Sequence, residues 1–342
     1  MTVKGRPTSL DIAHLAGVSQ PTVSRALRGN PMVNADTRRR ILAIADQLNY
    51  KVDKNASNLR CQQSGTLALL FFEDPAPDDS LINPFFHSMM GSITRACARR
   101  GYDLLVSFQQ LSDDWHADYE DSKKADGLIL LGYGDYLQAR TRLEQLVRQG
   151  THFVRWGAAL PDQPGIAIGC DNFQGGHAMT RHLLDGGRRR IAFLGDASPR
   201  YPEFRERYRG HVQALQDAGL GADAGLQVDA ISSETAGGDA VRALLDAGVG
   251  FDAVFAASDL IAIGAMRALA ARGLQIPADV AVGGFDDIPM AAMVAPGLTT
   301  VQQDTRAAGS LLVDTLIDAI RGQACGHHSL PVHLVARGST TT

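Results

Sequence analysis

Between residues 9 and 48 the apolar positions recur at helical spacing in three short pieces: Leu10, Ile12, Ala13, Leu15 and Ala16, then Val23, Ala26 and Leu27, then Ile41, Ala45 and Leu48. None is long enough to stand alone, so the three must share one small core. The breaks carry matching chemistry: Ser19 precedes the second piece and Asn34 the third, each able to accept a backbone N–H from the opening turn, with residues 29–31 as the loop between them. Residues 51–64 (KVDKNASNLRCQQS) are polar, lack periodicity and hold Leu59 as their one large apolar side chain. That stretch reads as a linker.

After residue 64 apolar runs of strand length alternate with helical stretches, at 66–72, 102–106, 127–131, 153–156, 166–168, 191–195, 253–255 and 280–284. Uninterrupted apolar strands between helices predict parallel sheets covered on both faces, hence a doubly wound α/β body. So many runs exceed what one small sheet needs, and two similar lobes are expected. The expected organisation is a helical head over residues 1–50, a hinge linker over 51–64 and the two-lobed body over 65–342.

Composition adds a division of charge. The 342 residues carry a formal charge of −4, yet residues 1–60 alone sum to +6 and the remainder to −10. A small basic head on a large acidic body suggests that the head meets a polyanion while the body does something else. The four cysteines, Cys61, Cys97, Cys170 and Cys325, form no C-x-x-C pair. They suit a reducing cytoplasm better than a disulfide framework or a zinc ribbon. The first residues hold no signal-like apolar core and no window approaches 18 uninterrupted apolar residues, so neither secretion nor membrane insertion is expected.

Enzyme signatures are missing as well. The chain has no G-x-x-x-x-G-K-[ST], H-E-x-x-H or G-x-S-x-G, and Gly132 and Gly134 lack the third glycine of a dinucleotide fingerprint. His177 and His182 fall on different faces of a helix, and His327 and His328 read as part of a polar loop. No catalysis, cofactor or metal is expected.

The segment LDIAHLAGVSQPTVSRAL, residues 10–27, has the spacing of a helix-turn-helix. Gly17 supplies the left-handed turn and Ala13 is small enough for a close crossing. The second helix would expose Gln20, Pro21, Thr22, Ser24, Arg25 and Arg28, a face suited to a DNA major groove, where Gln and Arg make bidentate contacts to base edges.

The segments TSLDIAHLAGVSQPTVSRAL, VNADTRRRI and LNY make this head similar to that of the lactose-repressor (LacI/GalR) family. The resemblance continues through NPFF at Asn83, DNFQGG at Asp171, HLLDGGRRRIAFLG at His182, RYRG at Arg207, SDLIAIG at Ser258, GFDD at Gly284 and LTTV at Leu298. It implies a periplasmic-binding-protein-like body. It also implies that Thr8, Ser19, Thr22, Ser24, Arg28, Asn34 and Tyr50 hold phosphates, while Gln20, Pro21 and Arg25 read bases. Pro21 has no side-chain hydrogen bond to offer, so readout there must be apolar or by shape. In the family the linker folds on DNA into a short helix that drives a leucine into the minor groove, and Ala56 and Leu59 match those positions. Val52, Asp53 and Ser57 depart from the family pattern.

For the body, polar residues just past strand ends are the ones to list, because ligands bind beyond the carboxyl ends of parallel strands. These are Asp171, Ser258, Asp259, Asp286 and Asp287, with Arg207 opening a helix. The resemblance puts Arg207 and Asp286 where an effector is gripped, with Ser258 and Gln303 as further polar contacts and Phe85 and Phe86 at one wall. Asp259 and Asp287 read as helix caps. An Arg with Asp, Ser and Gln partners suits vicinal hydroxyls. Because Arg207 is the one basic residue placed in the crevice, a neutral sugar is favoured over a phosphorylated one. The alternatives are a sugar phosphate, a purine or nucleoside, or a sugar-binding protein without DNA function, which the basic head counts against. The expected protein is a cytoplasmic regulator, a repressor of a carbohydrate-utilisation operon, reading a near-palindromic double-stranded operator as a homodimer. The end of the chain carries no leucine heptads for a tetrameric helical assembly.

Overall fold

A computed structural model describes residues 7–27, 29–50, 63–71, 82–108, 114–132, 134–160 and 163–341. The chain divides into two compact units, Met1–Ser64 and Gly65–Thr342.

In the first unit three helices, α1 (Ser9–Ala16), α2 (Gln20–Leu27) and α3 (Ala35–Gln47), close on a core of Ile12, Ala13, Ala16, Val23, Ala26, Val33, Ile41 and Ala45. Thr8 and Asp11 form a reciprocal capping box at the start of α1, which satisfies donors that the first turn leaves open. Gly17 follows at φ +63°, the left-handed conformation that the turn requires. Leu10 and Leu15, which periodicity places with the core residues, are 63% and 59% exposed. A two-turn helix buries one stripe, and Ile12, Ala13 and Ala16 already fill it.

The second unit has two six-stranded sheets. The first lobe uses β1 (Thr66–Phe71), β2 (Asp103–Phe108), β3 (Leu128–Leu131), β4 (Phe153–Trp156), β5 (Ile166–Cys170) and β11 (His328–Leu330), in the order β11-β5-β4-β3-β1-β2, all parallel. Helices α4 (Pro84–Arg100) and α5 (Tyr136–Gln149) belong to it. The second lobe uses β6 (Ile191–Leu194), β7 (Gln227–Val228), β8 (Ala253–Ala256), β9 (Ala281–Asp286), β10 (Thr299–Gln303) and β12 (Val332–Val335), in the order β12-β10-β9-β8-β6-β7. Only β12, beside β10, is antiparallel there. Its helices are α6 (Asn172–Asp185), α7 (Pro202–Asp217), α8 (Glu234–Asp246) and α9 (Asp259–Ala271).

The chain passes between the lobes from β5 into α6, from β10 into α10 (Thr305–Ile320), which packs on the first lobe, and from β11 into β12. Two of the crossings are tied together by Asp171 N donating to Leu330 O at 2.9 Å. All eight expected strands are present. The loop expected at His327 and His328 is instead the entry to β11, which contains His328, and His327 Nδ1 accepts Ala167 N at 3.1 Å. The pair reads as polar because the strand is short and exposed on its outer face.

One helix crossing bears directly on the crevice. A Cβ added to Gly176 would stand 2.0 Å from Arg207 O, and one added to Gly210 would stand 2.0 Å from Phe173 O. Helices α6 and α7 therefore meet backbone to backbone, which fixes where Arg207 stands.

Candidate functional site

Two surfaces concentrate the residues singled out by sequence. On the head, Pro21 and Arg25 are exposed on α2, with Thr22 and Ser24 half-exposed beside them. Ser19 and Thr22 share a hydroxyl–hydroxyl hydrogen bond of 2.9 Å at the start of that helix, in place of the backbone cap expected of Ser19. Gln20 is tethered, its Nε2 donating to Ser9 Oγ at 2.9 Å, a partner that sequence reading did not identify. Thr8 is occupied by the capping box, and Asn34 caps α3 by accepting Asp36 N at 2.9 Å. Tyr50 leans on the head core. Arg28, Ala56 and Leu59 lie outside the described residues.

In the body, the strand-end candidates gather where the two lobes meet, with Asn83 and Ala158 of the first lobe bonded to Ser232 and Glu203 of the second. Arg207, on the second turn of α7, is wholly buried. Its Nε donates to Asn172 Oδ1 at 2.8 Å, one Nη donates to Ala257 O, and the same nitrogen lies 3.6 Å from Asp286 Oδ1. The guanidinium sits 3.7 Å from the centre of the Phe285 ring, a cation–π contact. Gln303 Nε2 donates to the same Asp286 oxygen at 2.6 Å. Asp286 occupies φ +116°, a region that non-glycine residues rarely adopt, at the point where β9 delivers its carboxylate to the crevice. Arg207, Asp286 and Gln303 thus form one connected, buried and charge-balanced group.

The remaining sequence candidates fall around it. Ser258 caps α9 and accepts Ser232 Oγ–H at 2.8 Å, while Asn83 at the start of α4 donates to Ser232 at 3.1 Å from the opposite lobe. Phe85 and Phe86 are both core residues of the first lobe, edge to face at 5.2 Å, with Phe85 6.0 Å from Trp156. Asp171 is exposed and caps α6 through Gln174 N; the buried Asn172 beside it is the residue that meets Arg207. Cys170 donates to the same Asn172 oxygen, and burial pushes its thiol up to about 12.

Neither Asp259 nor Asp287 caps a helix, contrary to the sequence expectation. Asp259 is fully buried and accepts Ile288 N and the Thr300 hydroxyl, so it pins the loop that follows β9. Burial, and behind it the charge of Asp286, hold its carboxyl well above the usual carboxylate range. Asp287 is ion-paired to Arg337 at 2.6 Å and accepts Gln302 Nε2. The sequence places these acids after a strand, but only the tertiary fold supplies their partners.

Arg155, on β4, was not among the sequence candidates. It is 3% exposed and reaches Ala158 O and Gln163 Oε1, while Ala158 N donates to Glu203 Oε1 of the other lobe at 2.8 Å. Among the described residues no group of three or more acidic, His or Cys side chains could hold a metal ion, and no helix is long and apolar enough to cross a membrane.

A helix-turn-helix head joined to a two-lobed body with a polar crevice defines a DNA-binding regulator with an effector-binding domain. Residues 8–53 match the model of bacterial regulatory proteins of the lacI family, and residues 180–340 match the periplasmic binding protein-like domain. The ribose operon repressor of Escherichia coli K12 is 31% identical over 316 residues, covering 92% of this chain and 93% of that protein. Among solved structures, the complex of the transcriptional regulator CelR with cellobiose is 30% identical with a TM-score of 0.72, covering 98% of this chain and all of that one. The lac repressor dimer bound to operator and the anti-inducer ONPF is 27% identical with a TM-score of 0.83, covering 99% and 100%. The chain belongs to the LacI family of transcription regulators.

Proposed function

We propose that this chain is a cytoplasmic homodimeric repressor without catalytic activity, whose two heads grip a near-palindromic operator and whose crevice binds a sugar that alters operator affinity. The observation that carries the effector reading is the buried group of Arg207, Asp286, Gln303 and Asn172 at the strand ends. A balanced set of donors and acceptors suits hydroxyls, each of which both donates and accepts. The cellobiose held by the CelR relative and the operator held by the lac repressor dimer support the same two partners here. Ser258 completes the polar wall, Asp171 sits at the lobe crossing, and the Phe85 and Phe86 pair backs the opposite wall.

On the head, Arg25 and Gln20 carry direct base readout, with Pro21 packing on the groove. Thr8, Ser19, Thr22, Ser24, Arg28, Asn34 and Tyr50 bind phosphates, and Ala56 with Leu59 forms the minor-groove wedge. Coupling between sites of this kind is a differential affinity of about 1 to 3 kcal/mol. The deciding experiment is a thermal-shift screen of the full chain against neutral sugars, sugar phosphates and nucleobases, followed by operator binding with each hit. A sugar hit that changes operator affinity and disappears in Arg207→Ala is expected. Stabilisation by nucleobases alone would overturn the effector class.

A further inference from the structure

The crevice holds a second cation that the Arg207 group does not use. Arg155 is 3% exposed, its Nε has no hydrogen-bond partner, and among the described residues no carboxylate forms an ion pair with it; Glu203 acts on it from farther off. A guanidinium stays charged at any working pH, and a buried charge without a close counter-ion is costly. The acid that acts on it is Glu203, from the facing lobe. A Cβ added to Gly157 would lie 2.7 Å from both an Arg155 Nη and Glu203 Oε1, which brings the two side-chain ends to one small spot. That Glu203 oxygen already accepts Ala158 N.

Two features tie this spot to the effector site. Glu203 and Arg207 lie four residues apart on α7, so Arg155 faces a point about one helical turn, ~5.4 Å, from the Arg207 group. That step is comparable with the width of a sugar ring. Tyr136, at the start of α5, places its ring 5.7 Å from the Arg155 guanidinium carbon, and its hydroxyl is buried without a partner. The Arg155 Nε and the Tyr136 hydroxyl are thus two buried donors left unsatisfied in the first lobe.

We propose that Arg155 and Tyr136 form an oxyanion subsite, and that the effector is a sugar acid whose carboxylate they take while its hydroxyls engage Arg207, Asp286 and Gln303. This rests on the sugar-effector reading above and replaces neutrality by a single negative charge. With β4 folded, Arg155 adds a second base beside Arg207. A carboxylate matches the fork of an Arg guanidinium and accepts the phenol hydroxyl as well.

The test is isothermal titration of the full chain with D-glucuronate, D-galacturonate and D-gluconate, each beside its neutral parent sugar, and with D-glucose 6-phosphate. At least one acid binds about tenfold or more tightly than its parent. The preference vanishes in Arg155→Gln and is reduced in Tyr136→Phe, a change that leaves the fold intact. A preference for the phosphate that also vanishes in Arg155→Gln supports the subsite with phosphate as the anion. Neutral parents that bind as tightly as the acids, or an acid preference that survives Arg155→Gln, overturn the inference and leave the sugar effector standing. If no sugar of either kind binds, both readings fail.

Discussion

Arg207 and Arg155 are buried cations on opposite walls of one crevice, and they sit in opposite electrostatic circumstances. Arg207 has Asp286, Asn172, a backbone carbonyl and an aromatic ring around it. Arg155 has a carbonyl, an amide oxygen and the Tyr136 ring, with Glu203 beyond ion-pair distance and one nitrogen unsatisfied. A paired cation holds the folded lobe together, and losing it strands its acid. A cation without an ion pair holds little together on its own and gains most when a ligand supplies the anion. Burial alone therefore does not separate a structural charge from one kept for a ligand; the set of partners does.

The largest expected effect follows from removing the paired member. Arg207→Ala leaves Asp286 buried without its cation and lowers stability by about 3 to 5 kcal/mol. Urea unfolding followed in the body reads that loss, and the effector response disappears while the head still binds operator. A loss below about 1 kcal/mol would contradict the pairing.

Asp259 tests whether the charge balance of the second-lobe wall extends behind it. Asp259→Ala strands Ile288 N and the Thr300 hydroxyl, at a cost of about 2 kcal/mol or more. Asp259→Asn keeps the shape and removes the titration. With its folded value raised above 3.8, the Asp259 carboxyl contributes stability that is full below that pH and is lost as pH rises through the raised value. The stability of the parent relative to Asp259→Asn is expected to fall from acid to neutral pH in urea titrations. A flat difference would mean that Asp259 is ionised in the fold.

Smaller effects come from the contact between the walls. Ser232→Ala removes the hydroxyl that links Asn83 on the first lobe to Ser258 on the second, and about 1 kcal/mol of stability is expected to go with it. The same change weakens effector binding if the lobes close on the ligand. Arg155→Gln has the smallest effect on the protein without effector: its melting temperature stays level or rises. A fall as large as that of Arg207→Ala would erase the contrast between the two cations.

The head was legible because its information is local. The cap at Asn34, the left-handed Gly17 and three short apolar stripes specify the helices within a few residues of each feature. The eight apolar strands were legible because a strand covered on both faces is apolar along its whole length. β10 reads T-T-V-Q-Q and escaped notice, yet Thr299 and Thr300 are fully buried. Their hydroxyls are satisfied by Arg337 O, Thr340 and Asp259, residues distant in sequence.

The crevice divides in the same way. Arg207, Asp286 and Gln303 could be named from motifs, and the fold gathers them into one group. Asn172 was missed although it stands next to the named Asp171. The two residues at the lobe crossing differ in direction, one capping a helix in solvent and the other turned inward. Arg155 was missed because an Arg within F-V-R-W carries no signal that its strand ends under the facing lobe.

The sequence by itself determined the helix-turn-helix, the alternation that makes two doubly wound lobes, and the family to which the chain belongs. These are properties of short segments, set by periodicity, caps and glycines. Only the tertiary structure decided which acids are paired, which residue of the crossing turns inward to Arg207, and that a second buried cation forms no ion pair among the described residues. Electrostatic pairing is a matter of distance in space, and in this chain the decisive partners lie in different strands, helices and lobes.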